Sequence, residues 1–275
     1  MSYATIMVHV DAGGELDGRV RIAAQLADRF QSRLIGISSW TPRPPFAIEG
    51  VVIDPKLTTD EIAGRSVALK ARGEEFKKVA GLKGQRVEWR CAQEFPTPYV
   101  MREARAADLL VITRERRNLD PYLYVDPGSL LLGAGRPVLL VPPGVSSMDA
   151  KKVVVAWKDT REARRAIRDA LPLLKQAETV IVVEFCQSPH EVGPAQQRLG
   201  DVVQYLASHH ITSVLQRVQP LKDVAEDSLL QFVQRESADL IVAGAYGHSR
   251  VGEWIFGGVT EALLTRSPVC CLLSH

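Results

Sequence analysis

The sequence predicts an α/β protein built from two doubly wound domains, each a five-stranded parallel sheet flanked by helices. Three observations predict it. Short apolar runs of strand type alternate with amphipathic stretches of helical period. The same order of elements occurs twice along the chain. Matching dipeptides recur at one spacing: Asp108-Leu109 returns as Asp239-Leu240 and Pro137-Val138 as Pro268-Val269, each 131 residues later.

In the first half, residues 5–10 are an apolar strand that runs into Asp11. Val20, Ala23, Ala24, Ala27 and Phe30 fall on one helical face after it. Residues 33–38 form the second strand and 60–80 a helix marked by Ile62, Val67, Leu69 and Phe76. A strand at 86–91, a helix at 98–107, a strand at 108–113, a short helix near 128–135 and a strand at 137–141 complete this half. The second half repeats the pattern, with strands at 152–157, 179–185, 211–218, 239–243 and 268–273. Its helices are expected at 161–176, 195–208, 223–237 and 259–266. Strands separated by helices require parallel βαβ crossovers, so both sheet faces are covered.

The first strands align Val8 with Val155, 147 residues apart, so the first half carries 16 more residues between its first and fourth strands. The proline-rich segment at 41–57 is their expected place. The Pro/Gly/Ser-rich stretch at 141–152 reads as the join, which puts the domains at 1–143 and 151–275. The expected structure has two separate five-stranded sheets packed as an internal pseudo-dimer.

Composition sets limits on function. Lys and Arg number 34 against 32 Asp and Glu, a net charge of +2, which gives no electrostatic case for nucleic acid or a membrane surface. No apolar run is long enough to span a bilayer. The opening MSYATIMVHVD lacks the basic start of a signal peptide and suits a first strand. The four cysteines, Cys91, Cys186, Cys270 and Cys271, lack zinc-site spacing. They read as free thiols in a reducing, cytoplasmic compartment, with Cys270 and Cys271 on opposite faces of a strand.

Residues 239–260, DLIVAGAYGHSRVGEWIFGGVT, carry the chemistry. A buried strand runs into Gly244, then Gly247, a polar loop with His248 and Ser249, then Gly257, Gly258, Val259 and Thr260 at a helix start. Glycines let backbone approach a ligand, and helix-start amides attract phosphate. The same glycines equally serve turns and helix packing. The chain lacks G-x-x-x-x-G-K-[ST] and lacks G-x-G-x-x-G after a first strand, which excludes a P-loop and a dinucleotide fingerprint. His209-His210 suits a helix end better than a metal. Trp157 reads as core or pocket wall, and Arg161, Glu162, Arg164, Arg165, Arg168 and Asp169 as a solvated helix face. No catalytic nucleophile is identified.

The spacing Gly244-x-x-Gly247, then nine residues, then Gly257, together with VVVAWKDTREARRAI at 153–167, resembles the universal stress protein family. The whole chain resembles a tandem member, with two adenine nucleotide alpha hydrolase-like units. The resemblance implies ATP or AMP held by the loop, and an adenine contact from an Asp at the end of the first strand. Here Lys158 stands at that place, after Ala156, and Gly258 replaces the family's Ser or Thr. The resemblance thus implies a nucleotide site at Ala156, Lys158, Gly244, Gly247, His248, Ser249, Gly257, Gly258, Val259 and Thr260. The first half keeps Asp11, but its loop has Thr113, Arg116 and Asp126 where the second has Gly244, Gly247 and Gly257, and Pro127 for Gly258; no ordinary ATP site is expected there.

The expected function is a cytoplasmic stress sensor or regulator that binds an adenine nucleotide or related phosphate ligand in its second half. The alternative is an interaction protein that keeps the fold without nucleotide. At most slow ATP hydrolysis is implied. The resemblance also implies that residues 137–141 and 268–273 pair across the pseudo-two-fold, and it allows a further homodimer.

Overall fold

The computed structural model describes all residues except 1, 13–17, 45, 49–50, 54–58, 82–85, 115–119, 222–223 and 246–256. The first half runs β1 (Thr5–His9), α1 (Gly18–Phe30), β2 (Arg33–Ser39), β3 (Phe46–Ile48), β4 (Val51–Ile53), α2 (Thr59–Ala80), β5 (Val87–Ala92), α3 (Pro96–Glu103), β6 (Leu109–Thr113), α4 (Pro127–Gly133) and β7 (Val138–Val141). The second runs β8 (Lys152–Ala156), α5 (Arg161–Leu174), β9 (Thr179–Cys186), α6 (Val192–Ser208), β10 (Val214–Pro220), α7 (Ala225–Arg235), β11 (Leu240–Gly244), α8 (Gly258–Thr265) and β12 (Cys270–Ser274).

Within each half the five principal strands are parallel and share one order, the first strand lying between the second and the fourth. The segment at 41–57 contains a small antiparallel hairpin, β3 with β4, outside the main sheet. The expected pairing of the last strands across the pseudo-two-fold is present, and it makes the two expected five-stranded sheets continuous where they were expected to be separate. β7 and β12 pair antiparallel, Leu139 opposite Leu272, and fuse the halves into one ten-stranded sheet. Both strands are buried throughout and apolar but for Ser274, and an unpaired edge of that kind invites association with another chain. Mutual pairing covers both edges at once.

Strand alternation divides the core in two. Ile6, Val8, Leu109, Val153, Val155, Cys270 and Leu272 point to the face covered by α1, α2, α5 and α6. Met7, Leu110, Val154, Cys271 and Leu273 point to the face covered by α3, α4, α7 and α8. Cys270 and Cys271 therefore lie on opposite faces, as the sequence implies. Each fully buried aliphatic side chain contributes roughly 1.5–3 kcal/mol of transfer free energy, and both faces are continuous across the β7–β12 seam.

Helix α5 shows how the sequence builds one layer. The Thr160 hydroxyl accepts from the Ala163 amide at 3.3 Å and caps the start. Ala163, Ala166, Ile167, Ala170, Leu171 and Leu174 then make a buried stripe against β11 and β12. The strand expected at 211–218 begins later, at Val214. His209 ends α6 and His210 takes φ 65°, so Ile211 is a buried anchor in the turn and not a strand residue.

Candidate functional site

The second half opens where its strand order reverses. β8 and β11 are neighbours, but β8 leads on to β9 on one side and β11 to β12 on the other. Ala156 opposite Ala243 is the last pair between them. Beyond it the two chains part. The Trp157 amide donates to the Val183 carbonyl at 2.8 Å, and the Ala245 amide to the Ser274 carbonyl at 2.9 Å. This divergence at the carboxyl ends makes the crevice in which open α/β sheets place ligands.

Ala156 is half-buried at its edge and Lys158 exposed just beyond, where its carbonyl accepts from the Thr160 amide at 2.7 Å. Gly244 has a packing role. A Cβ there would lie 2.4 Å from the Ala163 nitrogen and 2.6 Å from the Glu162 carbonyl carbon, so the first turn of α5 rests directly on it. The solvated helix face expected for the charges of α5 is corrected at Glu162, whose side chain is 4% exposed and bound by Arg161. Burial pushes the Glu162 carboxyl up, but the Arg161 guanidinium, its own amide and the Thr160 hydroxyl outweigh this and hold it below the usual carboxylate range. A buried carboxylate therefore stands beside Gly244. Asp169 is also not fully solvated: its carboxylate accepts from the Ser274 hydroxyl at 2.8 Å. Arg161, Arg164, Arg165 and Arg168 are exposed as expected.

The helix that closes the β11–α8 connection starts without a side-chain cap. Gly257 is its N-cap, at φ −59° and ψ 136°, and no atom of the described residues lies within 4 Å of where its Cβ would project. A Cβ on Gly258 would lie 2.6 and 2.7 Å from the Glu226 carboxylate oxygens, so an acidic side chain of α7 reaches the first turn of α8. Val259 is half-buried and Thr260 buried. The Thr260 hydroxyl therefore starts from inside the fold. Gly247, His248 and Ser249 lie outside the described residues, as does Arg116.

The first half parts its strands in the same way, Val10 donating to the Ile37 carbonyl and Arg114 to the Val141 carbonyl, each at 2.8 Å. Its polar groups are committed to the fold. Asp11 accepts from the buried Arg19 at 2.6 Å. Asp126 accepts from the Ser129 amide at 2.7 Å and caps α4, whose first residue is Pro127. The helix start that would meet a phosphate already holds a carboxylate.

Glu162 and Glu226 are the acidic groups that sequence reasoning missed. Charges at Arg161, Glu162, Arg164 and Arg165 read as one solvated face, and only the contact with Gly244, 82 positions away, shows otherwise. Among the described residues no group of three His, Cys, Asp or Glu side chains is placed to hold a metal, and no helix is long and apolar enough to cross a membrane.

Residues 150–275 match the family model described as the universal stress protein family. This half of the chain is a universal stress protein domain. The match begins at residue 150, and the first half shares the strand order of the second. Solved structures resemble the whole chain. A universal stress protein from Archaeoglobus fulgidus DSM 4304 is 14% identical, covers 98% of each chain and superposes with a TM-score of 0.70. A Pseudomonas aeruginosa UCBPP-PA14 protein provisionally assigned to universal stress proteins is 17% identical over 99% of this chain and 93% of its own, with a TM-score of 0.60. A functionally unknown protein from Pseudomonas aeruginosa PAO1 is 16% identical over 99% and 92%, with a TM-score of 0.59. At these identities the likeness establishes the fold. No curated protein matches the chain.

Proposed function

We propose that the chain is a pair of universal-stress-type domains, residues 1–143 and 151–275, acting as a cytoplasmic stress sensor or regulator. The second binds a phosphate-bearing adenine nucleotide, such as ATP or AMP, in the crevice between β8 and β11. One contrast carries the reading: among the described residues no side chain caps the start of α8 or fills the space beside Gly257, whereas its counterpart α4 is capped by Asp126. Uncapped first-turn amides are donors for an anion. Lys158 supplies donors where the family resemblance implies an acceptor, so phosphate and ribose dominate recognition over adenine. Of the proposed site, Ala156, Lys158 and Gly257 to Thr260 frame the ligand with Gly247, His248 and Ser249, while Gly244 sets the α5 contact.

Glu226 favours a second reading, a nucleotide-independent interaction protein, because its carboxylate opposes an anion at Gly258. Calorimetric titration with ATP and AMP separates the two. The first reading expects binding that Gly257→Val abolishes, by filling open space at a backbone conformation valine adopts, and that Glu226→Gln tightens by about tenfold through loss of one like charge. Absence of binding at millimolar nucleotide in both the native protein and Glu226→Gln would establish the second.

A further inference from the structure

A second cavity, of about 550 Å³, lies on the outer side of the second half between α5 and α6. Trp157 and Tyr205 contribute aromatic surface to it, and Ile167 and Val202 give it an apolar lining. Arg164, Arg165 and Arg168 of α5 face Arg198 of α6 across it. Two carboxylates, Asp159 and Asp201, also line it. Asp159 is taken by Arg164 at 2.8 Å, and Arg198 is held by Glu184, with Nε 3.2 Å from Oε1. Arg165 donates to the main-chain oxygen of His275 at 2.6 Å, and the charges of Arg165 and Arg168 both act on the neighbouring Asp169 carboxylate. Arg168 makes no hydrogen bond or ion pair among the described residues. The lining thus holds four arginines against two carboxylates, an excess of cationic groups, together with two aromatic side chains.

Trp157 adds an independent observation. It is 9% exposed, and its Nε1–H is buried with no acceptor among the described residues. A buried donor left unpaired costs free energy that an incoming acceptor recovers. The equivalent groove of the first half, between α1 and α2, provides an internal comparison. It has no aromatic side chain in its lining, and of its three arginines Arg86 is paired with Asp28 and Arg29 donates to the Asp149 carbonyl at 2.9 Å, which leaves Arg21.

We propose that the α5–α6 groove is a binding site, separate from the β8–β11 crevice, for a small flat anion. The planar body lies against Trp157, Tyr205 and the apolar lining. An oxyanion head meets Arg168 and Arg165, whose guanidinium groups offer paired donors. The probe is 1-naphthyl phosphate, titrated into the full chain by calorimetry and followed by the indole N–H resonance of Trp157. Binding is expected with a displaced Trp157 resonance, while 1-naphthol and inorganic phosphate each bind about tenfold more weakly or worse. Arg168→Ala, at an exposed position, is expected to weaken 1-naphthyl phosphate by about tenfold or more. Trp157→Phe keeps the ring stacking and removes only the donor, so it is expected to weaken binding less. Gly257→Val, which acts on the other crevice, is expected to leave it unchanged. No binding at millimolar probe, binding indifferent to Arg168→Ala, or binding lost in Gly257→Val would each overturn the proposal.

Discussion

Tyr3 ties the two halves together through one atom. Its hydroxyl donates to the Asp169 carbonyl at 2.7 Å, and its ring meets Phe30 edge-on with centroids 5.3 Å apart. Burial first, then the Asp169 and Asp108 carboxylates, push the phenol far above its ordinary range. Cys270 and Cys271 are pushed up to about 12, in both cases chiefly by burial. All three are acids that keep their proton longer folded than unfolded, so the unfolded chain binds fewer protons at high pH and stability falls as pH rises. The thiols begin this loss near pH 8.5, where unfolded cysteine titrates, and Tyr3 adds to it above about pH 10. Urea midpoints measured from pH 7 to 11 should therefore decline in two stages. Tyr3→Phe should shrink the stage above pH 10, to which Tyr99, its phenol also raised by burial, contributes the rest, and cost about 1 kcal/mol at neutral pH, for the lost hydrogen bond. A midpoint that stays level through pH 11 would contradict the burial of the phenol.

At the scale of elements, the contact between β11 and α5 makes the sharpest prediction. A methyl group at Gly244 would meet backbone atoms of Glu162 and Ala163, which cannot swing aside as a flexible side chain can. Gly244→Ala should destabilise the protein by about 1–3 kcal/mol without any ligand present, as overpacking does. Unchanged thermal unfolding would return Gly244 to a role in ligand approach. This glycine also shows what a single sequence reveals and what it hides. Strands, helices and the internal repeat were legible because buried alternation and the 131-residue spacing are written along the chain. The crevice was legible as a place, since strand order fixes where β8 and β11 part. Gly244's purpose was not legible, because ligand approach and helix approach demand the same missing side chain. Glu162 was misread for a related reason: local charge pattern cannot register a partner strand. The β3–β4 hairpin was hidden in a proline-rich segment whose only visible property was its excess length.

At the scale of the molecule, the β7–β12 seam decides whether the halves behave as two units or one. Leu139 and Leu272 face each other at its centre, and both are fully buried. Arg114, just after β6, donates to the Ser267 carbonyl just before β12, and Tyr3 bridges to α5, so the seam is braced on both sides. A chain of this length ordinarily divides into domains that open separately. Here each half would expose a buried apolar strand edge if it opened alone, and that exposure opposes independent opening. Native-state hydrogen exchange is expected to give the slowest amides of β1 and β8 the same opening free energy. Leu272→Ala tests the coupling. The substitution removes buried volume at the seam and should cost about 2–5 kcal/mol. If the sheet is one cooperative unit, β1 and β8 lose protection equally, although Leu272 lies in the second half only. If β8 alone loses protection, the seam joins the halves in space but leaves their stabilities separate.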